Sequence, residues 1–346
     1  MFSDQDLELI LSRIPHLTIG VLGDLFLDRY LDIDATLTEP SLETSLDAYQ
    51  VVGVRSYPGA AGTVINNLVA LGVKRICAMS VIGDDGEGYE LLRALDQLRI
   101  MDLTGIHQNP TRRTPTYTKP MLQKAGQAAR ELNRLDIKNR SRLPPTAEEK
   151  VLIVLDRMWP EMDALIVSDQ VSETDCGVVT TRVRQRLSEL GNAEPGKVIL
   201  ADSRERIGLF RSIWLKPNLR ECVRAVEETV NAEDGQASYV CELAKSSARP
   251  VFCTRGERGV LIADPRSNPP RTIEVPAYPV TGPIDIVGAG DSANAGITCA
   301  LAAGADLEPA AAFGCLVASI TIQQIGTTGT ANLEQVRRRW LEVSRA

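Results

Sequence analysis

The chain has only two histidines in 346 residues, His16 and His107. That scarcity argues against zinc sites built on imidazole and against Ser-His-Asp hydrolysis, since both need histidine at defined places. Aromatic residues are also few, with five Phe, seven Tyr and three Trp, which disfavours a pocket that stacks a nucleobase between rings. The seven cysteines (77, 176, 222, 241, 253, 299 and 315) contain no C-x-x-C pair and mostly sit in apolar segments, the pattern of reduced, buried thiols in a cytoplasm. No apolar run reaches bilayer length; "VLIVL" at 151–155 is typical of the longest. Basic charge is not in excess. The formal net charge is −7, so neither nucleic acid nor an anionic membrane is expected as a partner. The opening "MFSDQDLELI" is acidic where a secretion signal would be basic.

What remains is an ordinary globular composition, 44% hydrophobic and 24% charged, on a chain long enough for one large α/β unit or two domains. Short apolar runs recur at 17–24, 74–83, 164–169, 197–202, 212–218, 250–256 and 259–264, with helix-period segments at 61–72, 87–98, 175–190, 219–230 and 235–247. Continuous apolar strands alternating with helices predict a parallel sheet covered on both faces. Three helices in succession are expected at the end, over 289–304, 308–325 and 332–344.

Two segments break the rhythm. Residues 29–56 are polar and alternating, and 112–142 hold nine bases against Glu131 and Asp136. Insertions over about 29–56 and 112–136 are expected to form a small β-sheet outside the main one. The basic run reads equally as a solvated strand face or as attraction for an already phosphorylated substrate. Nearly every expected strand ends in a polar or glycine cluster, and in open α/β sheets ligands bind beyond those carboxyl ends.

The stretch "GPIDIVGAGDSANAGITCALAAG", 282–304, carries the clearest chemistry. A glycine-rich turn entering a helix leaves backbone N–H groups unpaired where the helix dipole is positive, a cradle for phosphate. Asp291 at its edge would accept the proton of an attacking hydroxyl. An acidic residue in a capped first turn is also common for stability alone.

The arrangement resembles the ribokinase-like (PfkB) carbohydrate kinase family, whose signature D-T-x-G-A-G-D-x-F stands here as Asp285-Ile286-Val287-Gly288-Ala289-Gly290-Asp291-Ser292-Ala293. The resemblance implies Asp291 as catalytic base, Gly288, Ala289 and Gly290 as anion hole, and Asp285 as an acid beside a monovalent cation, K⁺ in some members. "KPNLREC" matches P-N-x-x-E, which implies that Asn218 and Glu221 organise Mg²⁺ and phosphate through water. "TRGERG" matches T-x-G-x-x-G and implies Thr254, Gly256 and Gly259 beside the phosphates of ATP; without the resemblance it reads as a hairpin turn. "GDLFLDRY" places Asp28 on sugar hydroxyls, and "GDDGEG" at 83–88 matches a family turn. These matches run in the family's order from about 17 to 330.

The fold implied is a single ribokinase-like domain over 1–346: a three-layer α/β/α sandwich with a mostly parallel central sheet and a β-sheet lid, through which members often pair as homodimers. "PGAAGTVINNLVALG", 58–72, departs from the family's G-G-x-x-x-N-x-A core, with Ala60 at the second glycine and Thr63 at the Asn position. Gly59, Thr63, Asn67, Asp28, Asp169 and Arg134 are the expected substrate contacts. "GDLFLDRY" and "NRLDIKNR" are similar to the heptose-7-phosphate kinase group, but Gln170 replaces its Tyr, and Asp202-Ser203-Arg204 stands for its D-P-K. The expected activity is phosphorylation of a sugar or sugar phosphate by Mg-ATP in the cytoplasm. A nucleoside kinase, or a kinase-derived binding protein without turnover, are the rivals. A dinucleotide-dependent dehydrogenase lacks the necessary G-x-G-x-x-G after the first strand.

Overall fold

Runs of Val, Ile, Leu and Ala that are buried on both sides assemble a nine-stranded sheet at the centre of the chain. It is seen in a computed structural model that describes residues 2–98, 100–124, 126–230, 235–326 and 328–344. Numbered along the chain, its strands are β1 (Thr18–Gly23), β4 (Arg75–Gly83), β5 (Met101–Asn109), β9 (Ala164–Asp169), β10 (Val198–Ser203), β11 (Trp214–Leu215), β12 (Val251–Thr254), β13 (Val260–Asp264) and β14 (Arg271–Val275). Their order is β14-β13-β12-β11-β10-β9-β1-β4-β5, parallel except for the antiparallel β12-β13-β14 edge.

Alternate residues of each strand feed two separate cores. Ile19, Val21, Ile166 and Leu200 face one side, where they meet α1 (Asp4–Arg13), α2 (Ala61–Ala70), α3 (Gly86–Asp96), α8 (Ala289–Ala302), α9 (Leu307–Thr321) and α10 (Leu333–Val343). Leu22, Leu165, Val167 and Ile199 face the other side, with α4 (Pro145–Met158), α5 (Thr181–Ala193), α6 (Leu219–Val226) and α7 (Gly235–Ser247). This is a three-layer α/β/α sandwich.

A second sheet contains β2 (Leu25–Pro40), β3 (Asp47–Ala60), β6 (Thr116–Gln123), β7 (Arg130–Glu131) and β8 (Leu135–Ile137). β2 continues directly from β1 across Asp24, so this sheet grows out of the carboxyl rim of the main one. It pairs antiparallel with β3 and parallel with β6.

Several expected boundaries moved. The run at 212–218 is a strand only over Trp214–Leu215, because Pro217 has no N–H to extend the ladder. The helix expected over 175–190 begins at Thr181, since the preceding backbone is tied instead to Asp24. "VLIVL" lies inside α4, with Val151 and Leu155 buried and Ile153 exposed one turn-face away. β5, α1 and β14 were not foreseen.

At the junction of β3 and α2 stands Ala60, with φ 53° and ψ −116°. This backbone conformation suits glycine, and a side chain there costs on the order of 1–3 kcal/mol. Ala60→Gly is therefore expected to raise the unfolding free energy by about 1 kcal/mol, strain relief outweighing the added chain entropy, as read from the denaturant midpoint at unchanged m-value.

Candidate active site

Parallel register brings the carboxyl ends of β1, β9, β10 and β11 side by side: Gly23 pairs with Ser168, Ser168 with Asp202, Asp169 with Ser203, and Ala201 with Leu215. Three acidic residues at these ends each have a dedicated partner. Asp24, nearly sealed from solvent, accepts from the N–H groups of Gln170, Val171 and Val178 at 3.1, 3.3 and 2.7 Å. Burial, helped by nearby Asp169, pushes its carboxyl up to about 6 despite those donors. Asp169 pairs with Arg206 at 2.7 Å and accepts from the Ser203 hydroxyl at 2.6 Å. Asp202 pairs with Lys216 at 2.9 Å.

Onto this rim α8 directs its N-terminus. Its N-cap, Gly288, has φ 80° and offers no side-chain cap. A Cβ there would stand 2.5 Å from Thr328 Cγ2, so the turn is closed to any other residue. The Ala289 N–H is spent on the Ile286 carbonyl at 3.1 Å, whereas those of Gly290 and Asp291 fall in the first turn and have no carbonyl one turn earlier in the helix to bond. Of the three residues expected to form an anion hole, Ala289 therefore has its N–H already bonded. Burial, then the nearby Asp202 carboxylate, push the Asp291 carboxyl up to about 7, against the opposing pull of Lys216 and Arg204.

Asp291 and Gly288 face a cavity of about 240 Å³ between α8 and the second sheet. Across it lie Asp28, Lys119 and Arg134, with Phe26 and Tyr117 as apolar wall and Ala60 and Thr63 at the start of α2. Gly59 supports this side: a Cβ on it would come within 2.9 Å of the Asp28 carboxyl carbon. Lys119 Nζ stands 3.5 Å from Asp28 and donates to the Tyr30 hydroxyl at 3.1 Å. Burial nonetheless raises the Asp28 carboxyl above its ordinary range. Arg134 is held by both oxygens of Asp136 at 2.6 and 2.9 Å and lies over the Tyr117 ring.

Not every expected contact reaches this space. Asp169 is fully buried behind Arg206, and its neighbour Gln170 lines the cavity in its stead. Asn67 is also fully buried, donating to the Thr63 carbonyl at 2.9 Å, one turn below the cavity. Asp285 accepts from the Val287 N–H at 3.0 Å and the Gly326 N–H at 3.4 Å, so it pins the approach to α8.

The residues expected beside ATP form a second group along the rim. Asn218 caps α6 and exchanges hydrogen bonds with Glu221, 2.8 Å from Asn218 N to Glu221 Oε2 and 2.9 Å from Glu221 N to Asn218 Oδ1. Thr254 ends β12 and bridges to Asn218, while Gly256 and Gly259, with φ 61° and 75°, close the turn into β13. That turn is the hairpin the sequence also allowed. Lys216 links the two groups: it lies two residues before Asn218 and feels Glu221 and Asp291 as well as Asp202. Burial alone would lower its ammonium pKa, but these carboxylates raise it. Sequence reasoning gave no role to Lys216, Lys119, Asp24 or Asp202. The only signal for Lys216 was a lone lysine closing the apolar run "SIWLKPN".

Among solved structures, ribokinase from Thermotoga maritima superposes with a TM-score of 0.66 at 18% identity, covering 94% of this chain and 99% of that one. Phosphofructokinase-2 from Escherichia coli, in complex with potassium, gives 0.68 at 16%, covering 95% and 100%. Among curated relatives, the bifunctional protein HldE of Geotalea uraniireducens is 28% identical over 326 residues, 94% of this chain and 63% of that protein. HldE of Pelobacter propionicus is 30% identical, covering 95% and 64%. The chain thus spans under two thirds of the length of these relatives. The family model for pfkB carbohydrate kinases matches residues 26–334, and the chain belongs to that family.

Proposed function

We propose that the chain transfers the terminal phosphoryl group of ATP to a hydroxyl of a sugar or sugar phosphate, with Asp291 as general base. The observation that carries this reading is a carboxyl raised to about 7 in the first turn of α8, beside unbonded amides and facing a 240 Å³ cavity that also holds Asp28. A base poised near neutral pH is the most effective at accepting a proton as the transition state forms. Asp28 would accept from the substrate's other hydroxyls and orient it, and the amides of Gly288, Gly290 and Asp291 would meet charge on the transferring group. Lys119, Arg134 and the exposed Arg204 make the cavity cationic, which favours an acceptor that already carries phosphate. The heptose-7-phosphate-like acceptor implied by the resemblance of "GDLFLDRY" and "NRLDIKNR" belongs to this reading.

Mg²⁺ supplies charge neutralisation on the phosphates. Among the described residues no group of three or more His, Cys, Asp or Glu is assembled as a cage. Asn218 and Glu221 would therefore hold the ion through water, with Thr254, Gly256 and Gly259 flanking the nucleotide. A K⁺ ion at Asp285 would compete with the two N–H groups that this carboxylate accepts. The second sheet would act as a lid that keeps water from the phosphoryl group. A cytoplasmic setting fits the free thiols at all seven cysteines; no described helix is long and apolar enough to cross a membrane.

A second reading, phosphorylation of a nucleoside, draws on Phe26 and Tyr117 in the cavity wall. A panel of sugars, sugar phosphates and nucleosides with Mg-ATP separates the two, and no turnover of any would favour a binding protein. Pairing through the lid is proposed from β3, an edge strand exposing Val52 and Val54 at 61% and 58%. Light scattering should give a dimer for the wild type and a monomer for Val52→Lys/Val54→Lys.

Asp291→Asn should lower kcat by about 10²–10⁴-fold while ATP affinity persists; full activity in that variant would remove the mechanism. Because the ionised carboxylate is the active form and its pKa is raised to about 7, kcat/KM should climb with pH through that region and level off above it. A profile already flat from pH 5 would contradict the assignment.

A further inference from the structure

We propose that Lys216 is a further catalytic residue, whose ammonium contacts the transferring phosphoryl group; the inference rests on the kinase reading above. Lys216 is 2% exposed, and its Nζ stands 2.9 Å from Asp202 Oδ2. The same atom is the nearest group to the open side of Gly290, 3.8 Å from where a Cβ on that residue would lie. The charge is therefore fixed beneath the turn whose amides would receive the phosphoryl group. An ammonium has three donors, and among the described residues Asp202 is the one ion-pair partner of Lys216. Buried donors are ordinarily filled. Here the remaining two are available to an arriving anion.

Electrostatics points the same way. Asp202, Glu221 and Asp291 all act on Lys216, and without a cation among them three carboxylates would repel a phosphate. Asp202 holds the side chain in place, so little reorganisation is needed when the anion arrives. In the step itself, the acceptor oxygen forms a bond to the terminal phosphorus as its proton passes to Asp291. The bond from that phosphorus to the bridging oxygen of ATP breaks, and ADP leaves with the electron pair. Lys216 neither gains nor loses a proton; it stabilises charge on the group in flight.

The test compares ATP with ADP, each with Mg²⁺, by titration calorimetry on wild type, Lys216→Met and Lys216→Met/Asp202→Asn. The double variant removes both charges, so no unpaired carboxylate is left buried to prevent folding. The expected result is ATP affinity weakened about tenfold or more while ADP affinity stays within about threefold, with kcat down by about 10²-fold or more. Equal loss for both nucleotides, or near wild-type kcat in the folded double variant, would overturn the proposal. A wild type that binds neither nucleotide would instead overturn the kinase reading, and this inference with it.

Discussion

The parallel register of β1, β9, β10 and β11 is the constraint on which the site depends. It places Asp24, Asp169 and Asp202 beside one another at the rim of a sheet whose strand ends are largely closed to water. Buried carboxylates are costly unless hydrogen-bonded or paired. Each therefore fixes something: Asp24 the backbone at 170–178, Asp169 the side chain of Arg206, and Asp202 that of Lys216. The rim is rigid because its charges are satisfied locally. A pocket assembled on it inherits that rigidity.

Asp291 is the exception, and the contrast is informative. It sits near the same acidic rim but has no ion-pair partner among the described residues, so burial and Asp202 raise its pKa where the other charges are compensated. Lys216 is engaged by Asp202, and Arg204 reaches it only through the field. A carboxyl left unpaired among paired ones is the group free to exchange a proton. The helix dipole at the start of α8 works against this rise, favouring the anion, but burial outweighs it and favours the proton.

The sandwich was legible in the sequence because its strands are continuous apolar runs and helices such as α3 and α5 carry one buried face; the sheet's edges, β5 and β14, are only partly buried and carry mixed patterns. Gly288, Asp291, Asn218 and Glu221 were legible for a local reason, since a glycine turn and a capping box are written within a few residues. Asp169 was misread because its burial depends on Arg206, 37 positions away. Lys216 was passed over for the same reason: its significance comes from Asp202 on a neighbouring strand and from a turn more than 70 residues later. Nothing local distinguishes it from any lysine at a strand end.

The two halves of the cavity differ in how firmly they are specified. On the α8 side, the N-cap of Gly288 leaves no room for a side chain, so geometry and sequence agree. On the α2 side, Ala60 holds a conformation that glycine would adopt without strain, and its methyl lines the cavity. Strain kept at such a place is better explained by what the methyl group does there than by the fold, which glycine would serve more cheaply. Ala60, the last residue of β3, and Thr63 line the same cavity as Lys119 and Arg134.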